Sequence, residues 1–176
     1  MPWSLDYQPP KAPDALDAFL ATSGRALYIA TCYEQKCRNL LSFARFVKAV
    51  DGADGDLDAS IALVRGLKKL MLHGTIQELK KFPEFEDADF AVLERGKDAR
   101  NFVCHELCNV GPISSYSERI LDSALTALRV HLTKLAAADN LVSGWLYEIQ
   151  EKENVPNGIR AAYPAWLESW VFTGHT

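Results

Sequence analysis

Residues 87–110 read DADFAVLERGKDARNFVCHELCNV. At about 100° per residue, Val92, Gly96, Ala99, Val103, Leu107 and Val110 gather on one side of a helix spanning this stretch, and that side is the expected core face. Asn101 and His105, four residues apart, stack on one another and point nearly opposite the middle of that stripe. Arg100 falls at the edge between the two faces. Its side chain is long enough to swing a guanidinium toward the imidazole, although a spacing of five residues does not by itself align the two. The acids from Glu84 to Asp89 suit the positive end of the helix dipole, and Gly111-Pro112 ends the helix with a residue that cannot continue the ladder.

The segments on either side also read as helices. Pro13 and Asp14 open a short helix to about Thr22, ended by Gly24, and a second of about 25 residues runs from Arg25 to Val50, with Leu27, Ala30, Cys37, Leu40, Leu41, Ala44 and Val47 at helical spacing. After a polar loop from Asp51 to Asp58, the apolar positions Ile61 to Leu72 support a helix to about His73, which sits against the negative end of the dipole. Gly74 breaks that helix, and Thr75-Ile-Gln-Glu78 has the form of a capping box that starts another turn or two before Pro83. Ser114 or Ser115 caps a helix with Ile120, Leu121, Leu125, Leu128, Leu132 and Leu135 as its stripe. It continues to about Lys152, with Asp139-Asn140 a point of interruption. Pro164 starts a last short helix carrying Trp166, Leu167, Trp170 and Phe172. The expected fold is an all-α, up-and-down helical bundle of about five main helices. It forms one domain over residues 13–176, behind an extended arm of residues 1–12 that carries Pro2, Pro9 and Pro10.

Arg100, Asn101 and His105 together resemble the Arg-x4-6-His motif of HEPN (higher eukaryotes and prokaryotes nucleotide-binding) domains, in which a polar residue directly follows the arginine. The motif match is confined to Arg100–His105, while the helical likeness covers about residues 25–152. The resemblance implies a metal-independent endoribonuclease, a toxin or defence enzyme, that leaves 2′,3′-cyclic phosphate and 5′-hydroxyl ends. His105 would move protons at the 2′-hydroxyl or the 5′-oxygen, Arg100 would stabilise the phosphorane, and Asn101 would orient the phosphate or the imidazole. It also implies a homodimer that builds the site from two protomers. The alternative it carries is a catalytically silent scaffold paired with an antitoxin or a nucleotidyltransferase-like protein.

Composition limits the partners. With 176 residues, 48% hydrophobic and 24% charged, the chain has the size of one domain with a substantial core. A net charge of −4 argues against coating nucleic acid by bulk electrostatics and confines RNA contact to a local track. The most basic stretch, with Arg65, Lys68, Lys69, Lys80 and Lys81, is the candidate for that track. No apolar run reaches the roughly 18 residues of a membrane span and no signal-peptide pattern opens the chain, so a cytoplasmic protein is expected. No metal or cofactor is assigned. Asp54, Asp56 and Asp58 alternate as in a calcium loop, but the place of the bidentate glutamate holds Arg65. Cys104, His105 and Cys108 are close in sequence, yet His105 need not share the side on which the two cysteines lie.

Overall fold

The computed structural model describes residues 12–52, 70–109 and 116–174. The arm before Ala12, the loop from residue 53 on, the expected helix from Ile61 as far as Lys69, with Arg65, Lys68 and Lys69, and the Gly111-Pro112 signal fall outside these residues; Asp51 lies within the first helix, and the N-cap expected at Ser114 or Ser115 is held by Ser117. The described residues form an all-α bundle: α1 (Pro13–Gly52), α2 (Leu72–Leu79), α3 (Asp87–Asn101), α4 (Glu118–Glu151) and α5 (Asn157–Thr173). No helix among them is long and apolar enough to cross a membrane.

The frame consists of α1 and α4. At 40 and 34 residues they are about 60 and 50 Å long at 1.5 Å per residue, and they pack side by side. Contacts fix the directions. Along α1, Tyr33 meets Leu93, whereas Lys36 meets Asp139 and Arg25 meets Val171. Phe43 and Val47 then share a groove with Phe82 and Trp145. Hence α1 and α4 run together, and α3 and α5 run against them. The short α2 lies along α1 in the same direction, joined to it by the Arg45–Glu78 ion pair. The core is one cluster, with Phe19, Tyr33, Leu40 and Leu41 from α1, Ile76 and Leu79 from α2, Leu93 from α3, and Leu121, Leu128, Leu132 and Leu135 from α4.

Several boundaries differ from the sequence reading, each for a local reason. Gly24 does not end a helix, because α1 is continuous through it. A helical glycine costs about 1 kcal/mol relative to alanine, and here the buried Phe19 and Ala26 on either side of it offset that cost. Gly74 likewise lies inside α2 rather than between helices, and His73 belongs to the first turn of α2 instead of the last turn of a preceding helix. There is no capping box at Thr75. Its hydroxyl donates back to the Met71 carbonyl at 3.2 Å, as a side chain inside a helix does.

Asp139-Asn140 does not interrupt α4, and Pro164 does not start α5. These two facts are linked. Pro164 has no N–H for the Arg160 carbonyl one turn earlier, and the Asn140 side chain donates to that carbonyl at 2.8 Å. Its neighbour Asp139, buried in the core, accepts from Lys36 at 2.7 and 2.9 Å and from the Tyr163 hydroxyl. The polar pair expected to break α4 thus fastens it to α1 and α5.

Candidate functional site

The helix carrying the motif departs from α geometry where the motif lies. From Phe102 to Glu106 the backbone forms a π turn, closed by the Leu107 N–H on the Phe102 carbonyl at 2.9 Å. The Phe102 ring lies flat on His131 of α4, with centroids 3.9 Å apart and planes 6° from parallel, while Val103 and Leu107 are buried. The end of the turn is held by the Tyr116 hydroxyl, which donates to the Cys108 carbonyl at 3.2 Å. In a regular helix, five residues advance about 500°, which would leave Arg100 and His105 about 140° apart. A π turn takes one more residue per hydrogen-bonded ring, so it turns less per residue and reduces that angle. Such turns recur at functional sites. The expected single α-helix to Val110 is corrected accordingly, whereas the core face holds, with Gly96, Ala99, Val103 and Leu107 buried.

Arg100, Asn101 and His105 line one open cleft of about 410 Å³, bounded by α1, the start of α2 and the end of α3. Glu34, Arg38, His73, Lys97 and Glu106 complete its charged wall. Arg100 is not a free surface residue. Its guanidinium pairs with Glu34, whose other oxygen pairs with Arg38, and it donates to Asn101 Oδ1 at 3.2 Å. The Arg100 side chain is 23% exposed, and its buried Nε has no acceptor. Arg38 donates in turn to the Leu70 carbonyl at 3.2 Å, which ties the wall to the entry of α2. Lys97 lies between Glu94 at 2.6 Å and Asp98 at 3.4 Å. The hydrogen bond to Glu94 raises its proton affinity above the ordinary lysine value, so it contributes fixed positive charge.

His105 is exposed and stands on a ridge. On its other side is a second cleft, of about 450 Å³, lined by Leu20, Ser23, Gly24, Leu27, Cys104 and Cys108. The Cys104 thiol is pushed up chiefly by burial, which disfavours the thiolate that a nucleophile requires. Among the described residues, no three His, Cys, Asp or Glu side chains converge in a way that could hold a metal ion.

Lys80 and Lys81 are not brought to the cleft. They follow the far end of α2, where Lys80 reaches Glu94 at 3.4 Å and Lys81 pairs with Glu78. Sequence reasoning missed Glu34, Arg38, His73 and Lys97. Glu34 and Arg38 look like an ordinary surface pair at i,i+4, and nothing local shows that the glutamate is turned toward another helix. Comparison with protein-family models, curated proteins and solved structures finds no match.

Proposed function

We propose that the protein is a metal-independent endoribonuclease of HEPN-like type, with Arg100, Asn101 and His105 as its catalytic residues. The observation that carries this reading is the joint presence of a guanidinium, an amide and an exposed imidazole in one cleft, on a helix end re-aimed by a π turn. The chemistry requires only proton transfer and charge stabilisation. The 2′-oxygen attacks phosphorus and the 5′-oxygen leaves, His105 carries one of the two protons, and Arg100 neutralises charge on the phosphorane. Asn101 already accepts from Arg100, which suits a role in orienting it. Arg38 and Lys97 bring further positive charge to the same wall and are better placed for RNA contact than Lys80 or Lys81. A homodimer, a toxin or defence role in the cytoplasm and an antitoxin partner belong to this reading. The half-exposed Leu20 and Leu27 beside His105 offer a second copy an apolar face.

One observation favours a second reading, the silent scaffold paired with a nucleotidyltransferase-like partner. Glu34 already occupies Arg100, and RNA must compete with it in a protein of net charge −4. Incubation of the purified protein with total RNA in excess EDTA separates the two readings. Cleavage leaving 2′,3′-cyclic phosphate ends is expected, and inert RNA, also after removal of any co-purifying partner, would favour the scaffold.

A further inference from the structure

In-line cleavage moves two protons on opposite sides of the phosphorus. One leaves the attacking 2′-hydroxyl and the other joins the departing 5′-oxygen, so two groups are needed in a single displacement. The cleft contains two imidazoles from the same chain. His105 comes from the π turn after α3 and His73 from the first turn of α2, and both are exposed at its wall. The other ionisable groups there are less suited to proton transfer. Both oxygens of Glu34 are held by guanidiniums, Lys97 holds its proton more tightly because of Glu94, and arginines do not deprotonate in proteins. Glu106 is the remaining group.

We propose that His73 is the proton-transfer partner of His105, so that one chain supplies both the base and the acid to the cleft that holds Arg100, in place of the two-protomer site that the resemblance implies. This rests on the ribonuclease reading above. One imidazole takes the 2′-hydroxyl proton as the 2′-oxygen–phosphorus bond forms. The other gives its proton to the 5′-oxygen as that bond breaks, leaving a 2′,3′-cyclic phosphate and a 5′-hydroxyl. The two histidines end with exchanged protonation states, and water restores them.

The test uses an RNA oligomer that the full-length protein cleaves, with and without sulfur in place of the bridging 5′-oxygen at the cleaved linkage. A thiolate leaves without being protonated, so loss of the acid no longer matters. On ordinary RNA, His73→Ala and His105→Ala should each lose about 10²–10⁴-fold in rate. On the sulfur substrate, one histidine variant should return close to the wild-type rate and the other should not, an effect that a merely structural role would not produce. Co-expressed His73→Ala and His105→Ala chains should remain inactive together. Wild-type rates for His73→Ala on ordinary RNA would overturn the pairing while leaving the ribonuclease reading intact. Failure of the sulfur substrate to rescue either variant would also overturn it, and so would restored cleavage in the mixed chains. An inert wild-type protein would remove both the pairing and the reading beneath it.

Discussion

At the scale of single residues, Arg100 and His105 differ in what their removal does to the fold. His105 is exposed, so His105→Ala should change stability by no more than about 0.5 kcal/mol while abolishing cleavage. Arg100→Ala leaves Glu34, itself nearly buried, with Arg38 as its remaining partner. It should therefore cost about 1–2 kcal/mol as well as abolishing cleavage. Thermal melts set beside RNA assays check both, and equal melting temperatures for the two variants would show that the Glu34 pair does not support the fold. The sequence shows Arg100, Asn101 and His105 as a group because they are neighbours in one helix. It does not show Glu34, because an acid at the edge of a core stripe looks the same whether it meets water or a guanidinium from another helix. Arg100 lies off the apolar stripe, and its ion pair across 66 residues of chain is what gives it a part in the fold.

Among elements, helix existence is legible from apolar periodicity, and helix ends are less so. Gly24, Gly74, Asp139-Asn140 and Pro164 each carry a local break signal that tertiary contacts override, most plainly where Asn140 takes up the carbonyl freed by Pro164. The π turn is not legible either, since the apolar spacing from Val92 to Leu107 fits a regular helix equally well. Gly96 is a different case. A Cβ built there would lie 2.3 Å from Ala138 Cβ and 3.0 Å from the Tyr33 hydroxyl, so the glycine permits the close approach of α3 and α4. Gly96→Ala should destabilise by about 1–3 kcal/mol. Adding Ala138→Gly should recover part of that in denaturant melts, even though the new glycine itself costs about 1 kcal/mol; no recovery would place the clash elsewhere. His131, which supports Phe102 at the π turn, gives the same region a pH dependence. Burial, reinforced by Lys134, lowers its proton affinity against the opposing Glu106 and Asp98. The fold thus prefers neutral His131, and the stability this brings is full above the unfolded histidine value of about 6.5 and is lost as pH falls through the lower folded value. Between about pH 7 and pH 5, wild-type protein should lose more thermal stability than His131→Phe, which keeps a ring against Phe102. Parallel melting curves would remove His131 as the cause.

For the molecule as a whole, the bundle leaves its chemical groups and its exposed apolar side chains close together. Leu20 and Leu27, seven residues apart on α1, are 50% and 46% exposed, and with Gly24 between them they form a shallow wall that ends at His105. Gly24 has no atom within 4 Å of where a Cβ would stand, so another helix can approach closely there. A two-fold pairing over this face would bury the leucines of both copies and bring the two copies of His105 toward the same axis, without covering the Arg100 side of the cleft. Light scattering at micromolar concentration should then give particles of twice 19.6 kDa. Leu20→Glu together with Leu27→Glu should return the protein to single chains, because the introduced charges would be buried against each other across the axis. Both positions are already half in water, so the helical fold should survive the change, and circular dichroism of the double variant checks this. Single chains of wild-type protein at that concentration would rule out the pairing, and a double variant that remained dimeric would move the interface to another face. If the double variant is monomeric and still cleaves RNA, the acid, the base and the guanidinium all belong to one chain, as the proposed pairing of His73 with His105 requires.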